Sequence, residues 1–223
     1  RTLFCALVFM IHNSELRQDI VSGDWIVIAP KRAQRPEQFF PKKKRVATAV
    51  RGCPFEDPQA SGHGDPFLLY SLRDEWAIQV VKNKFPAFAH AENGTCALHS
   101  TKGPYATVEG VGHHDIIITR DHHTNFPQLD TSRVNLLFRA FQERYRMLAS
   151  DSCSAYISLF QNWGPGAGAS IYHPHFQIIT LPIIPPDVQH SLEGSSAYFA
   201  RHKKCVHCVM LEWEHLDARR IIF

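Results

Sequence analysis

No stretch of this sequence stays apolar for the roughly 18 residues that a membrane-spanning helix requires, so no membrane partner is expected. Nor is either sign of charge in strong excess. Lys and Arg number 24 against 21 Asp and Glu, a formal net charge of +3. That surplus is too small to argue for a nucleic-acid protein, although a local basic patch would survive the average. The Gly-Lys-Ser/Thr of a Walker loop is missing, and no internal repeat is visible. What is present suits a folded chain of one large domain or two small ones: 223 residues, 44% hydrophobic and 20% charged. Two counts stand out at that size, fourteen His and six Cys.

The cysteines are Cys5, Cys53, Cys96, Cys153, Cys205 and Cys208. An even number would suit three disulfides in a secreted protein. The spacing argues otherwise, because Cys205 and Cys208 form a Cys-x-x-Cys and Cys53 opens Cys53-Pro54-Phe55-Glu56. In a His-rich chain without a convincing secretory signal, such spacings more often hold a metal. The expected compartment is the reducing cytoplasm, and Cys96 and Cys153 read as plain thiols. The chain begins with Arg1 and a short apolar stretch that lacks a small-residue cleavage site. Met10 reads as the natural start, and residues 1–12 as extraneous or disordered. Arg219 to Phe223 resembles the inside of a strand, so a longer natural polypeptide is expected.

Strand-like runs occur at Trp25 to Ala29, Trp76 to Val81, Ile116 to Thr119, Ala155 to Gln161 and Tyr172 to Leu181. Lys31 to Arg45 is basic and punctuated by proline, and Cys53 to Asp65 has loop chemistry. One helix is clear, from Asp130 to Ala149. Asp130, Thr131 or Ser132 can cap it, and Val134, Leu137, Phe138, Phe141, Tyr145 and Leu148 form one apolar stripe. The pattern predicts an α+β fold with a largely antiparallel sheet and a packed helix.

Chemistry concentrates between Asn162 and Gln177. A glycine-rich run, Gly164 to Ser170, precedes His173-Pro174-His175-Phe176-Gln177. On a strand, His173, His175 and Gln177 share one face, with Cα atoms about 6.6 Å apart per step. Three polar groups in a row seldom serve a core, where unpaired polar groups are costly. The glycines before them offer backbone N–H groups suited to a bound phosphate. The bland alternative is a solvated edge strand after a flexible loop, and Pro174 fits an edge strand. The glycines and Gln177 together favour the functional reading. His113 and His114, just before the Ile116 strand, read as surface or packing residues.

The His173-Pro174-His175-Phe176-Gln177 segment resembles the His-x-His-x-Gln signature of the galactose-1-phosphate uridylyltransferase branch of the histidine-triad superfamily. Further blocks resemble the same family in order: Asp19 to Pro30 with Arg32, Arg35 and Pro36; Cys53-Pro54-Phe55-Glu56; Val81 to Ala87 with Asn83, Phe85 and Pro86; and Asp121-His122. The ADP-glucose phosphorylases, relatives with adenylyl specificity, have a similar pattern that includes a run like Ala167 to Ser170. The resemblance implies a histidine-triad-like fold, with residues 13–190 as the N-terminal nucleotidyltransferase domain. Residues 191–223 would be a linker and the truncated start of a second such domain, making this the N-terminal half of a two-half parent.

The implied reaction carries UMP from UDP-glucose to a hexose 1-phosphate, galactose 1-phosphate, through a nucleotidyl-histidine. His175 matches the nucleophile, and an imidazole is largely neutral and hence nucleophilic near neutral pH. Gln177 matches the residue that hydrogen-bonds the transferred phosphoryl group. The hydrolase branch has a third His there. An amide can donate a hydrogen bond but cannot deliver a proton, which favours transfer over hydrolysis. Arg32, Arg35, Asn83, Asn162, Gly168 and Ser170 match substrate-lining positions, and arginine forks suit phosphate. The implied zinc ligands are Cys53, Glu56, His122 and His173, with His123 as a shifted alternative to His122. Glu56 stands where the family has Cys, and Glu is a legitimate zinc ligand. Cys205 and Cys208 match half of a second zinc site, completed only in a longer parent. A homodimer is implied by resemblance. Two other readings stay open: an ADP-sugar phosphorylase or nucleoside-polyphosphate hydrolase, and a non-catalytic zinc-stabilised binding module.

Overall fold

The computed structural model describes residues 15–28, 47–89, 96 and 99–222. The expected 1–12 segment and the Arg32/Arg35 loop lie outside the described residues. In chain order the strands are β1 (Glu15–Gln18), β2 (Trp25–Ile28), β3 (Leu68–Leu72), β4 (Glu75–Lys82), β5 (His99–Lys102), β6 (Tyr105–Val108), β7 (His114–Thr119), β8 (Tyr156–Phe160) and β9 (His175–Leu181). The helices are α1 (Thr131–Ala149), α2 (Pro186–His202) and α3 (Val206–Asp217). The chain forms two compact units, Lys42–Ile184 and a second of Arg1–Pro41 with Pro185–Phe223.

The larger unit is built on a five-stranded antiparallel sheet in the order β3-β4-β7-β9-β8. Each central strand alternates with period two. Ile117 on β7 and Phe176 and Ile178 on β9 join Ile78 and Val80 of β4 in one core, with Leu137, Ala140, Phe141 and Leu148 of α1. Ile116, Ile118 and Val81 point the other way, into a second cluster closed by Phe55. The intervening side chains of β9, His175 and Gln177, share that second face. The helix covers one face of the sheet, and loops form a site on the other. The expected α+β architecture, a largely antiparallel sheet with a packed helix, holds.

Four local expectations change. Asp130 caps α1 by accepting from the backbone N–H of Arg133 at 3.0 Å, but the buried stripe is Leu137, Ala140, Phe141, Arg144 and Leu148. Phe138 and Tyr145 are exposed. The stripe turns toward Arg144 because that guanidinium has a buried partner: Nε and Nη2 each lie 2.8 Å from Oδ2 of Asp115 on β7, and the group stacks 4.0 Å above the Phe67 ring. Hydropathy alone cannot anticipate a buried ion pair. Second, β9 begins at His175, after Pro174, and lies between β7 and β8. It is therefore an interior strand, and the proline sits just before it, where no ladder N–H is lost.

Third, Cys96 and Cys153 form a disulfide 57 residues apart in sequence, where plain thiols were expected. Sequence cannot pair distant cysteines. Fourth, residues 218–222 form no strand after α3. No described helix is long and apolar enough to cross a membrane.

In the second unit β1 and β2 form an antiparallel hairpin. The turn region rests on α2 at Gly194, where an added Cβ would lie 2.1 Å from the Val21 carbonyl oxygen.

Replacing Asp115 by Ala leaves the Arg144 charge buried without its partner. An unfolding free energy lower by about 3–5 kcal/mol is expected, measured by urea denaturation against wild type.

Candidate active site and metal centre

A cavity of about 460 Å³ opens on the sheet face away from α1. His175 and Gln177 reach it from β9, His114 and Ile116 from β7, and Asn83 from the residue following β4. The loop before β9 contributes Asn162, Gly168 and Ser170. Every expected substrate-lining residue within the described chain is thus gathered at one place.

His175 is buried, 9% exposed, yet it lines the cavity. Its Nδ1 lies 2.8 Å from the His173 carbonyl oxygen. A carbonyl only accepts, so Nδ1 carries the proton and donates. In the neutral ring Nε2 then keeps its lone pair. Burial pushes the imidazole below its ordinary range, and the bond to the His173 carbonyl opposes this only in part. The ring is therefore neutral near pH 7, which is the state a nucleophile needs. The buried ring of Phe55 packs against it edge-on, with centroids 4.9 Å apart, and leaves it little freedom to rotate.

The glycine-rich loop differs from expectation. Pro165–Ala167 is a short 3-10 turn. The N–H groups of Ala167 and Ala169 donate to the Gly164 carbonyl, and that of Gly168 to Pro165. Those three amides are committed to the turn and do not form an open phosphate cradle. The loop brings the side chains of Asn162 and Ser170 to the cavity instead. Gly168 is needed for its backbone, at φ +80°.

His114 was not anticipated as a site residue. Its Nε2 lies 2.9 Å from Gln177 Oε1 and 2.9 Å from Asn83 Nδ2, and its Nδ1 accepts from the Ala87 N–H at 2.9 Å. His113, its neighbour, points elsewhere and pairs with Asp151 at 2.9 Å. His63 and Lys84 also line the cavity. The one available sequence signal was alternation on β7, which puts His114 on the face of Ile116.

Beside the cavity, Cys53, Glu56, His122 and His173 offer four donor atoms within 4.8 Å of one another. His173 is fully buried and points its Nδ1 at Glu56 Oε1, 3.2 Å away, while its Nε2 donates to the Thr119 carbonyl at 2.6 Å. His122 repeats the arrangement, with Nδ1 2.8 Å from Glu56 Oε1 and Nε2 donating to the Thr48 carbonyl at 3.1 Å. In both neutral rings the backbone holds the proton on Nε2, so both Nδ1 lone pairs converge on a carboxylate. Cys53 Sγ lies 3.6 Å from His173 Nδ1. Two bare nitrogens facing an anion repel unless a cation sits between them, and a backbone carbonyl on the other ring nitrogen is the usual way to orient a metal-ligating histidine. The donor set therefore fits a divalent metal. His123 is exposed and does not join the four clustered donors, where His122 does.

Glu56 is held from outside by Arg120, with Nη1 2.7 Å from Oε2. Burial raises its carboxyl, but the hydrogen bond from Arg120 opposes this and the carboxyl lies below its ordinary range. Burial pushes the Cys53 thiol up. Cys205 and Cys208 lie at the start of α3, both exposed. Backbone N–H groups of Cys208 and His207 lower the Cys205 thiol, while hydrogen bonding to Cys205 raises Cys208. Among the described residues no third donor joins this pair.

The antiparallel sheet thus carries a buried, cavity-facing histidine, an amide two residues on and, beside them, a Cys/Glu/His/His cluster. The chain belongs to the galactose-1-phosphate uridyl transferase family, whose N-terminal domain matches residues 8–185. It is 30% identical over 199 residues to the ADP-glucose phosphorylase of Arabidopsis thaliana, covering 88% of this chain and 56% of that protein. It is 25% identical over 201 residues to the galactose-1-phosphate uridylyltransferase of Thermotoga maritima, covering 90% and 57%. The crystal structure of the Arabidopsis ADP-glucose phosphorylase with bound ADP-glucose superposes with a TM-score of 0.71 at 28% identity, over 90% of this chain and 59% of that one. The chain thus spans somewhat more than half the length of these relatives.

At Gly168 an added Cβ would meet nothing within 4 Å, so Gly168→Ala should cost only backbone strain. A loss of about 1–2 kcal/mol is expected, read by thermal or urea unfolding. A much larger loss would mean that the loop packs more tightly than this.

Proposed function

We propose that His175 takes a nucleoside monophosphate from a nucleotide sugar and passes it to a phosphate-bearing acceptor. The observation that carries this is the fixed tautomer of His175, whose Nε2 keeps its lone pair in a cavity shared with Gln177, Asn162 and Ser170. Nε2 attacks the α-phosphorus. The bond from that phosphorus to the bridging oxygen breaks, and the sugar leaves as its 1-phosphate. An oxygen of the acceptor phosphate then attacks the nucleotidyl-histidine, the N–P bond breaks, and the lone pair returns to Nε2. Two displacements replace one difficult transfer. Gln177 and Ser170 offer N–H and O–H groups to the phosphoryl oxygens as charge builds on them. Arg32 and Arg35 are proposed to add cationic donors.

The family supports transferase or phosphorylase chemistry, and two donors are in play. UDP-glucose with galactose 1-phosphate as acceptor is the first reading. An ADP-sugar with inorganic phosphate as acceptor is the second. It gains weight from the 30% identity and the 0.71 TM-score to ADP-glucose phosphorylase, against 25% identity to the Thermotoga uridylyltransferase.

We assign a structural zinc to Cys53, Glu56, His122 and His173. Four protein ligands leave no open coordination position for substrate, so the metal would tie the Cys53 loop and the Asp121-His122 turn to the residue just before β9. Cys205 and Cys208 are proposed to hold a second zinc in the full-length protein, together with donors outside this sequence. A homodimer is part of the same proposal.

Incubation of the full-length protein with ADP-glucose or UDP-glucose should yield an acid-labile adduct on His175, and its mass names the base. His175→Ala should abolish the adduct and lower turnover by several orders of magnitude with the fold intact, because no neighbour replaces the nucleophile. A folded protein that forms no adduct with either donor would sink the transfer reading and leave a binding module.

Metal analysis of the same sample should find two zinc equivalents per chain. Glu56→Ala should remove one, and Cys205→Ser the other. A single equivalent that survives Cys205→Ser would eliminate the second site.

A further inference from the structure

We infer that His114 is a positioning residue that orients the Gln177 amide toward the transferred phosphoryl group. This rests on the transfer reading above and extends it to a residue outside the His-Pro-His-Phe-Gln segment. The argument is one of donors and acceptors. The Ala87 backbone N–H can only donate, and it lies 2.9 Å from His114 Nδ1. Nδ1 is therefore unprotonated, and the neutral ring carries its proton on Nε2.

That proton has two neighbours, each 2.9 Å away: Gln177 Oε1 and Asn83 Nδ2. Asn83 is itself fixed, because its Oδ1 accepts from the Phe85 N–H at 3.0 Å. Its amide nitrogen cannot accept, so of the two neighbours only Gln177 Oε1 can take the Nε2 proton, and the Asn83 NH2 stands beside that N–H as a second donor, close to it but not bonded to it. Once Oε1 is held, the Gln177 amide is no longer free to flip. Its NH2 group is left to donate to whatever occupies the cavity that Gln177 lines. A flipped amide would turn its oxygen toward an anionic phosphoryl group and repel it. The chain of orientation runs from the Ala87 backbone through the imidazole to the amide, each step fixed by a group that can play one role only.

The sheet supplies the rigidity this requires. His114 lies opposite Ile179 and Gln177 opposite Ile116, so the two side chains are diagonal neighbours on one face. The start of β7 is pinned from below. The His113 N–H donates to Thr180 Oγ1 at 2.8 Å, and the Thr180 N–H donates to the His113 carbonyl at 3.0 Å. That approach is close enough that a Cβ on Gly112 would fall 2.4 Å from the Thr180 carbonyl oxygen.

The test compares the rate of nucleotidyl-His175 formation in full-length wild type, His114→Phe, Gln177→Ala and the double variant. Side-chain 15N NMR of the wild type is recorded alongside. His114→Phe should slow adduct formation on the order of 10- to 100-fold, with half-saturation by the nucleotide sugar nearly unchanged. In the Gln177→Ala background the same substitution should cost almost nothing more, because its route of action is already gone. His114→Gln, which keeps an N–H donor, should recover part of the rate. NMR should place the His114 proton on Nε2. Equal losses in both backgrounds, an unimpaired His114→Phe, or a proton on Nδ1 would each overturn the inference. If His114→Phe does not fold, the wild-type tautomer decides. If the wild type forms no adduct at all, the transfer reading fails separately, and the NMR result still decides the pairing.

Discussion

The antiparallel register between β7 and β9 is the constraint on which the rest of this molecule depends. It sets Ile116 opposite Gln177 and Ile118 opposite His175, with Ile117 and Phe176 paired on the reverse face. A slip of one residue would turn His175 and Gln177 into the core beneath α1 and bring Phe176 out to the cavity. Burial of Ile117, Phe176 and Ile178 against Leu137, Phe141 and Leu148 opposes that slip. The hydrophobic core thus specifies which face of the sheet carries the cavity.

On the reactive face, backbone carbonyls and amides decide what each ring nitrogen can do. The His173 carbonyl holds the His175 proton on Nδ1, so Nε2 is left bare. The Thr119 and Thr48 carbonyls do the reverse for His173 and His122, leaving Nδ1 toward Glu56. Adjacent histidines of the same segment therefore take opposite tautomers, one suited to attack on phosphorus and one to ligation of a metal. Phe55 packs against both rings. Arg120 engages the second carboxylate oxygen of Glu56 and leaves Oε1 for the cluster.

Much of this was legible from residue order. The runs from Trp76, Ile116 and Ala155 mark strands that exist, the run from Tyr172 becomes a strand only at His175, and Asp130, one of three candidate caps, caps the helix. The sites built on Cys53, Glu56, His122 and His173, and on Asn83, Asn162, Gly168, Ser170, His175 and Gln177, assemble as two adjacent clusters. Strand β3 escaped notice because its turn into β4 is Arg73-Asp74. Both residues adopt positive φ without the glycine or asparagine that normally advertises such a hairpin. The α1 stripe was misplaced because Arg144 is buried by a partner on another element.

Sequence alone determined what depends on local spacing: the two-residue period that joins His175 to Gln177, the helix and its cap, and the donor types available to a metal. Only the tertiary structure decided which nitrogen of each imidazole is free. A tautomer follows from which backbone group faces the ring, and Thr119, Thr48 and Ala87 are brought there by chain segments remote in sequence. The same holds for His114, an unremarkable strand residue until β9 places Gln177 against it, and for the Cys96–Cys153 bond, whose partners meet only in the folded chain.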